Sequence, residues 1–412
     1  MNDNIYDVCI IGGGASGLIA AIESSRRGLS SVVVDKNKKP CKKLYATGNG
    51  RCNLTNDYWD DDIYYNNDFV DRVYEKLYRK TGYRQRGFIL NYFESLGIKT
   101  INLNGYYYPR SLQASSVCWS LLDAARNLGV TMLGGLTVRR IYEMPDYYCI
   151  SAYTSASKDE LTNIYAKNVI LAIGGMSGKG LGEADINVTK SLLDDIEVSY
   201  APFKPGLTPI VCNEDLSALS GIRIKANVKV DNHYEDGEIQ INDKGLSGIV
   251  IMNMSGFLDV GSKLHINVLD KINEEEFVLH FNEIKSLFPS KKIIAYLNGY
   301  INDKLADYFV KEIYGDFYDI TLSDINESGI RNIYNELTDW CLQVKEICGF
   351  EYSQVTKGGI LTDQIDDETM QIKNSRAVYA VGEVTDVYGK CGGYNLTYAF
   401  ITGYLAGNSV RK

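Results

Sequence analysis

The sequence predicts an α/β protein in which one domain, written in two separate pieces of chain, brackets an inserted one. Three observations carry this. The N-terminus, from Tyr6 to Lys36, reads as strand, glycine turn, helix, strand and acid. Buried-strand and glycine-turn patterns of that kind stop near Gly175 and resume near Gly358. Between them the character changes from about Leu192, where Pro202, Pro205 and Pro209 interrupt short strands and a long run of charged helices follows. The expected domains are therefore 1–197, 198–350 and 351–412.

The opening unit is justified residue by residue. Val8, Ile10 and Ile11 make a short apolar run that stops at Gly12-Gly13-Gly14-Ala15-Ser16-Gly17. An Ala/Leu/Ile stretch with helical spacing follows, then Val32-Val33-Val34 and Asp35. Gly12, Gly14 and Gly17 fill the G-x-G-x-x-G positions of a Rossmann-like βαβ unit. Gly12 permits the tight turn, Gly14 the approach of a pyrophosphate, and Gly17 the close packing of helix on strand. The amides of Ala15 and Ser16 then lie at a helix N-terminus, which attracts phosphate. Asp35 stands where an acid accepts from a ribose hydroxyl. It disfavours a 2′-phosphate, which favours FAD or NAD over NADP.

The lysines after Asp35 (Lys36, Lys38, Lys39, Lys42 and Lys43) read mostly as a solvated loop. Lys36 and Lys43 are assigned to the cofactor side, with Lys42 or Lys43 as a neutraliser of pyrophosphate. The segment from Ala46 to Asn56 is ATGNGRCNLTN, and its two glycines among Thr, Asn and Arg suit neither helix nor strand. It reads as a loop that offers donors to a ligand. Phe69 to Leu96 has helical spacing, Tyr106-Tyr107-Tyr108 reads as a half-buried strand or pocket wall, and Ala114 to Leu128 as an amphipathic helix. Val130 to Ile141 reads as a β-ribbon, Tyr147–Tyr153 and Leu161–Tyr165 as a hairpin, and Asn168 to Gly175 as a separate buried strand. In the insert, short strands around Val211, Ile222–Val230 and Ile239–Ile241 precede Gly245-Leu246-Ser247-Gly248 and the helices of Asn273 to Trp340. The final part has a strand and turn at Val355–Ile360, a buried strand from Ala377 to Val381 ending at Gly382-Glu383, and a helix opened by Gly392-Gly393-Tyr394-Asn395-Leu396.

Bulk properties exclude several classes. The 412 residues are 45% hydrophobic and 23% charged, as in globular proteins, and suffice for two or more domains. No apolar run reaches the roughly 20 residues of a membrane helix, and no export signal precedes the first strand. A net charge of -9 argues against nucleic acid as partner. Nine cysteines without a C-x-x-C read as reduced cytoplasmic thiols, with no metal site. His233, His265 and His280 all lie outside the glycine motifs, so histidine acid–base chemistry is not expected.

Several segments together resemble the bacterial BaiN-like, aminoacetone-oxidase-like FAD flavoproteins: IIGGGASGLIAA, ATGNGRCNLTN, GYYYPRSLQASSV, GLSG, TKGGI and YAVGEVTDVYGKCGGYNLTYAFITGYLAG. The resemblance spans nearly the whole chain. It implies a glutathione-reductase-type (Rossmann-like) FAD-binding domain with an inserted β-barrel-like plus helical domain. By the same resemblance Gly12, Gly14, Ala15, Ser16 and Gly17 hold the FAD pyrophosphate, with Asp35 on the adenosine ribose and Val138 at the adenine. Thr47, Gly48, Gly50, Arg51, Cys52 and Asn53 run along the flavin, Ala172 and Gly174 back the nucleotide, and Gly382 and Glu383 meet the ribityl-phosphate. Gly393, Tyr394, Asn395 and Leu396 face the flavin pyrimidine edge. The FAD is expected to be non-covalent, with any NAD(P)H binding transiently, since no second glycine fingerprint exists. The sequence departs from the family at Asn242-Asp243-Lys244, where a Thr-His pair is frequent, and in its tyrosine-rich segment. Both fall where substrate is selected. The implied activity is hydride transfer between flavin and a small molecule, by oxidation of an amine or reduction of an activated double bond or ketone. The rivals are a flavin-dependent RNA-modifying enzyme and a redox-sensing flavoprotein.

Overall fold

In the computed structural model, residues 5–154, 157–181, 184–315 and 319–412 are described. Chain contacts divide them into two compact units, one of 1–205 with 354–412 and one of 206–353.

The first unit starts with β1 (Tyr6–Ile11), α1 (Ala15–Arg26) and β2 (Ser31–Asp35). Val8 to Ile11 and Val32 to Val34 are almost completely buried, which is why both strands read as continuous apolar runs. Next come α2 (Lys42–Gly50), β3 (Thr55–Asn56), α3 (Asn67–Thr81) and α4 (Gln85–Ser95). The helices α3 and α4 are separated by Gly82, whose φ of +77° closes α3 with its N–H on the Tyr78 carbonyl. They are followed by β4 (Thr100–Leu103), β5 (Tyr106–Pro109), α5 (Ala114–Asn127), β6 (Thr131–Gly134), β7 (Leu136–Glu143), β8 (Tyr148–Thr154) and β9 (Ser157–Leu171). Then α6 (Ile186–Asp195) and β10 (Tyr200–Gly206) lead to the second unit.

That second unit holds β11 (Ile210–Cys212), β12 (Arg223–Val230), β13 (His233–Asn242), β14 (Gly245–Ser247), α7 (Ile249–Met254) and β15 (Lys263–Asn267). Its helices are α8 (Glu274–Leu287), α9 (Ile293–Leu297), α10 (Asp303–Tyr314) and α11 (Glu327–Thr338), followed by β16 (Trp340–Ile347). The six strands close a barrel in the order β11-β14-β13-β12-β15-β16, which leaves no open sheet edge. Val228, Ile239, Leu264 and Leu342 fill it, and Phe277, Phe309 and Ile333 of the helices join the same core. The chain returns through β17 (Val355–Ile360), β18 (Val378–Ala380) and α12 (Tyr394–Ser409).

The main sheet of the first unit runs β6-β2-β1-β9-β8-β7, with β18 also on β9. Strands β6, β2, β1, β9 and β18 are parallel, the 3-2-1-4-5 order of a Rossmann-like sheet. Two expectations change here. The segment 130–141 is not a ribbon, because β6 pairs with β2 while β7 pairs with β8. The expected separate strand at 168 is the far half of one 15-residue strand, β9. Its first half pairs with β8 up to Ala166, and its second half lies between β1 and β18. Among the described residues, no helix is long and apolar enough to cross a membrane.

Candidate functional site

The turn after β1 is built for backbone proximity. Gly12 has φ +108°, and a Cβ there would lie 2.2 Å from the Ala172 carbonyl oxygen. A Cβ on Gly17 would lie 1.9 Å from the Gly12 oxygen, so α1 rests directly on the turn. Around Gly14 nothing stands within 4 Å of that position, which leaves the mouth of the turn open. No side chain caps α1 and no acid occupies its first turn; the helical bonding starts at the Leu18 N–H to the Gly14 oxygen (3.1 Å). The first-turn amides of Ala15, Ser16 and Gly17 thus form a positive end suited to an anion.

Asp35 is 8% exposed and cements this turn. Its Oδ2 accepts from the Gly13 N–H (2.8 Å), and its Oδ1 accepts from the Asn37 N–H (2.7 Å) and amide group (3.0 Å). Beside it opens a cleft lined by Gly12, Asp35, Lys36, Val138, Ile173 and Leu192 among others. Its lining combines apolar side chains with the carboxylates of Asp35 and Asp185, which suits a nucleoside, whose base is flat and whose sugar carries hydroxyls.

A second cluster joins three distant pieces of chain around Glu383. Its Oε1 accepts from the Thr356 N–H (2.8 Å) and the Ser177 hydroxyl (3.2 Å). Its Oε2 accepts from the Gly175 N–H (3.1 Å) and Lys43 Nζ (3.2 Å). Lys43 also donates to the Gly175 carbonyl (3.1 Å) and the Ser177 hydroxyl (3.2 Å). Lys43, expected at a pyrophosphate, and Glu383, expected at the ribityl-phosphate, thus form an ion pair with each other. Their visible role is to fix Gly174, which has φ +70° and open space around it, and Gly382, whose Cβ position lies 2.8 Å from Ser16 Oγ. Thr356 and Ser177 were not singled out in the sequence: Thr356 meets the carboxylate through its backbone N–H, which no residue type marks, and Ser177 does so by its hydroxyl across 206 residues.

The third part is the start of α12 against the 47–53 loop. Within α2, Thr47, Gly48 and Asn49 leave the helical conformation, so the Ala46–Asn53 stretch is a loop in practice. It closes on itself through the Cys52 N–H to Thr47 oxygen (3.0 Å) and Arg51 N–H to Gly48 oxygen (3.1 Å) bonds. Gly50 (φ +81°) faces open space. Gly393 has φ +92°, and a Cβ there would meet Asn53 O at 3.0 Å and Asn53 Oδ1 at 3.1 Å. Asn53 Oδ1 is buried and has no hydrogen-bond partner among the described residues. A buried acceptor left without a donor costs about 1–3 kcal/mol. Burial pushes the Cys52 thiol up to about 12, so it is no thiolate nucleophile at neutral pH.

Tyr394 and Asn395 do not point their side chains into this site. The Tyr394 hydroxyl donates to the Tyr58 oxygen (2.6 Å), and its ring meets Trp59 edge-on at 5.3 Å. The Asn395 amide is spent on Gly389, accepting from its N–H (2.7 Å) and donating to its oxygen (2.8 Å). What Tyr394, Asn395 and half-buried Leu396 offer is the uncapped first turn of a 16-residue helix without an acid in that turn.

These two open helix ends are held in fixed relation. Cβ positions at Gly403 and Gly407 would lie 2.3 Å from the Ser16 oxygen and 2.6 Å from the Ala20 oxygen, so α1 and α12 touch backbone to backbone. Residue 403 stands against 16 and 407 against 20, which makes the helices parallel. Gly403 is nine residues into α12 from Tyr394, while Ser16 is one residue into α1 from Ala15. The start of α12 therefore projects eight residues beyond that of α1, about 12 Å at 1.5 Å per residue.

A parallel sheet of this order with a glycine-rich turn after its first strand defines a Rossmann-like protein. The chain belongs to the HI0933-like protein Rossmann domain family, which matches residues 6–409 and bears out the resemblance read from the motifs. It is 31% identical to a 3-dehydro-bile acid delta(4,6)-reductase of Clostridium scindens, over 98% of each chain. It is 24% identical to a ribosomal RNA dihydrouridine synthase of Escherichia coli, over 96% of this chain and 95% of that one. Among solved structures, the FrdA chain of an E. coli quinol fumarate reductase superposes with a TM-score of 0.51 at 13% identity, covering all of this chain and 70% of the other. That last likeness concerns the fold alone.

Proposed function

We propose that this protein is an FAD-dependent oxidoreductase that reduces a carbon–carbon double bond conjugated to a carbonyl group in a small molecule. The observation that carries the reading is the parallel pair α1 and α12. One open helix end suits a pyrophosphate. The other, about 12 Å farther along, suits a ring that gains negative charge on reduction. FAD has both groups, separated by its five-carbon ribityl chain. The residues also fit in detail: the unpartnered Asn53 Oδ1 supplies an acceptor for a ring N–H, and the cleft at Asp35, Lys36 and Val138 suits the adenosine end.

In this reading Gly12, Gly14, Ala15, Ser16 and Gly17 hold the pyrophosphate. Thr47, Gly48, Gly50, Arg51, Cys52 and Asn53 border the flavin, with the first-turn amides of Tyr394, Asn395 and Leu396. Bound FAD supplies the hydride chemistry, and the protein positions it and adjusts its potential. A helix end contributes up to about 2 kcal/mol, which at about 30 mV per 1.4 kcal/mol raises a two-electron potential by only some 40 mV. The helix therefore tunes the reaction and does not choose the substrate. The reductase direction is supported by the printed activities of the relatives. A 3-dehydro compound with a delta(4) bond is an enone, and forming dihydrouridine saturates a bond conjugated to a base carbonyl. Net charge -9 favours a free small molecule over RNA.

The test is direct. Purified protein is denatured with acid, and the supernatant is assayed for FAD. Native protein is then reduced anaerobically by NADH or NADPH and offered an enone or a uridine oligonucleotide, while the oxidised protein is offered an amine as hydride donor. Flavin in the supernatant and faster reoxidation by the enone are expected. Protein that binds no flavin, or reoxidation that ignores the enone, sinks the reading; faster reoxidation by the oligonucleotide replaces the small molecule with RNA.

A further inference from the structure

Two phenols stand beside this site. Tyr106 and Tyr108 are two residues apart on β5, so their side chains share one face of the strand. The intervening Tyr107 takes the other face, where its hydroxyl donates to Asp57 (3.1 Å). The Tyr108 ring edge lies 3.7 Å from the Cβ position of Gly48, and the Tyr106 ring edge 3.4 Å from that of Gly392. Both glycines have positive φ; the Cβ position of Gly48 lies 3.0 Å from the Asn53 backbone nitrogen, and Gly392 directly precedes Gly393, whose own Cβ position meets Asn53. The two rings are half-buried. Neither hydroxyl has a hydrogen-bond partner among the described residues. Desolvation raises both phenols above their ordinary value, so each keeps its proton at neutral pH. The Arg51 guanidinium, exposed next to Tyr108, pulls the other way and makes that hydroxyl the better donor of the two. Tyr106 instead packs against Tyr58, ring centroids 5.6 Å apart, which holds its plane in place.

We propose that Tyr106 and Tyr108 form the recognition edge for the substrate: Tyr108 donates its phenolic hydrogen to the carbonyl oxygen of a flat conjugated carbonyl compound, and Tyr106 supplies the ring against which that compound lies. The physical case is economy of burial. A half-buried hydroxyl that water reaches in the open site loses that water when a flat ligand covers it, and a carbonyl oxygen then supplies the acceptor. The same hydrogen bond withdraws electrons from the conjugated system, and that makes its far carbon more receptive to hydride. A compound without the carbonyl leaves the phenol unpaired and is rejected for that reason. The ring of Tyr106 adds contact area without regard to the carbonyl.

This inference rests on the reading of the site as a reductase of conjugated carbonyl compounds, and its test is separable from that reading. Binding is titrated by the change in the visible flavin spectrum, with no reductant present, so turnover is not involved. The probes are androst-4-en-3-one, its ketone-free analogue androst-4-ene, 2-cyclohexen-1-one and uridine. The variants are Tyr108→Phe, Tyr106→Phe and Tyr106→Leu, each checked for flavin occupancy. Tyr108→Phe is expected to bind the ketone about tenfold more weakly, the scale of one hydrogen bond, and the ketone-free analogue as wild type does. Tyr106→Phe is expected to change neither, and Tyr106→Leu to weaken both. Unchanged ketone binding by a flavin-loaded Tyr108→Phe overturns the proposal. So does an equal loss for both steroids in that variant, and so does a flavin-loaded wild type that binds none of the carbonyl probes. Absence of flavin from the wild type overturns the underlying reading instead.

Discussion

Replacing Glu383 with glutamine tests whether the Lys43–Gly175–Glu383 cluster holds the site together. Glutamine keeps one oxygen, which in its better pose continues to accept from Thr356 N–H and Ser177. Its NH₂ then faces the Gly175 N–H and Lys43 Nζ, donor against donors. A hydrogen bond to a charged group contributes about 1.5–3 kcal/mol, and an unsatisfied buried N–H costs about 1–3 kcal/mol. The Lys43 side chain is 29% exposed and retains its bonds to Gly175 O and Ser177, so its share lies at the low end. The total is about 2–4 kcal/mol, which lowers Tm by roughly 5–15 °C for a domain of this size. The assay is thermal unfolding followed by circular dichroism, with flavin occupancy measured on the same samples. Lys43→Met is the companion: it removes the cation but leaves both backbone donors on the carboxylate, and less than half the loss is expected. A Glu383→Gln protein that melts within about 1 °C of wild type refutes the reasoning, since such a loss lies far below the value of even one charged hydrogen bond.

Gly393→Val puts a branched side chain at φ +92° and against Asn53, where even alanine costs about 1–2 kcal/mol; it should lose bound flavin while circular dichroism shows the helices intact, and full occupancy with an unchanged flavin potential counts against the assignment. Acid stability has a definite sign at Asp7. Burial raises its carboxyl, but Lys167 (2.9 Å) and the Ser30 amide and hydroxyl (2.9 and 2.8 Å) outweigh that and hold it below its ordinary 3.8. Its contribution is therefore complete above the unfolded value and lost as pH falls through the folded one, so Asp7→Asn should flatten the decline of the urea midpoint below about pH 4; an identical slope shows that other acids dominate. Among the thiols, exposed Cys341 should react first with an aromatic disulfide reagent at pH 8, and buried Cys9 and Cys52, both pushed up to about 12 by burial, only after unfolding. Native-state labelling of Cys52 at the rate of Cys341, read by mass spectrometry, contradicts the packed loop.

What was legible in the sequence is what is local. The turn at Gly12–Gly17, the acid at Asp35 and the strand–glycine ends at Gly174 and Gly382 each declare themselves within a few residues, because φ and close approach are backbone requirements. The barrel was expected only through the family resemblance and not from the strands themselves, since strands 3 to 10 residues long show their apolar faces but not their partners. The two roles of β9 were hidden for the same reason: its neighbour changes from β8 to β18 along its length, and β18 lies far downstream. At the site, the commitment of Glu383 to Lys43, of Tyr394 to Tyr58 and of Asn395 to Gly389 depends on partners that sequence spacing does not reveal. The glycines were therefore easier to read than the side chains beside them.

The pairing of β18 with β9 has a consequence in time. Leu171 and Val378 are separated by 207 residues, and at about 5–20 residues per second the edge of β9 waits some 10–40 s for its neighbour during synthesis. For that interval the nascent sheet keeps an unpaired parallel edge, and the face of α1 that receives Gly403 and Gly407 stays bare. The barrel and its helices, whose core residues are contiguous in the chain from Ile210 to Val344, are complete before then. The order of birth is thus the reverse of the order of reading: the inserted unit can finish first, and the unit that begins the chain is closed by its last helix.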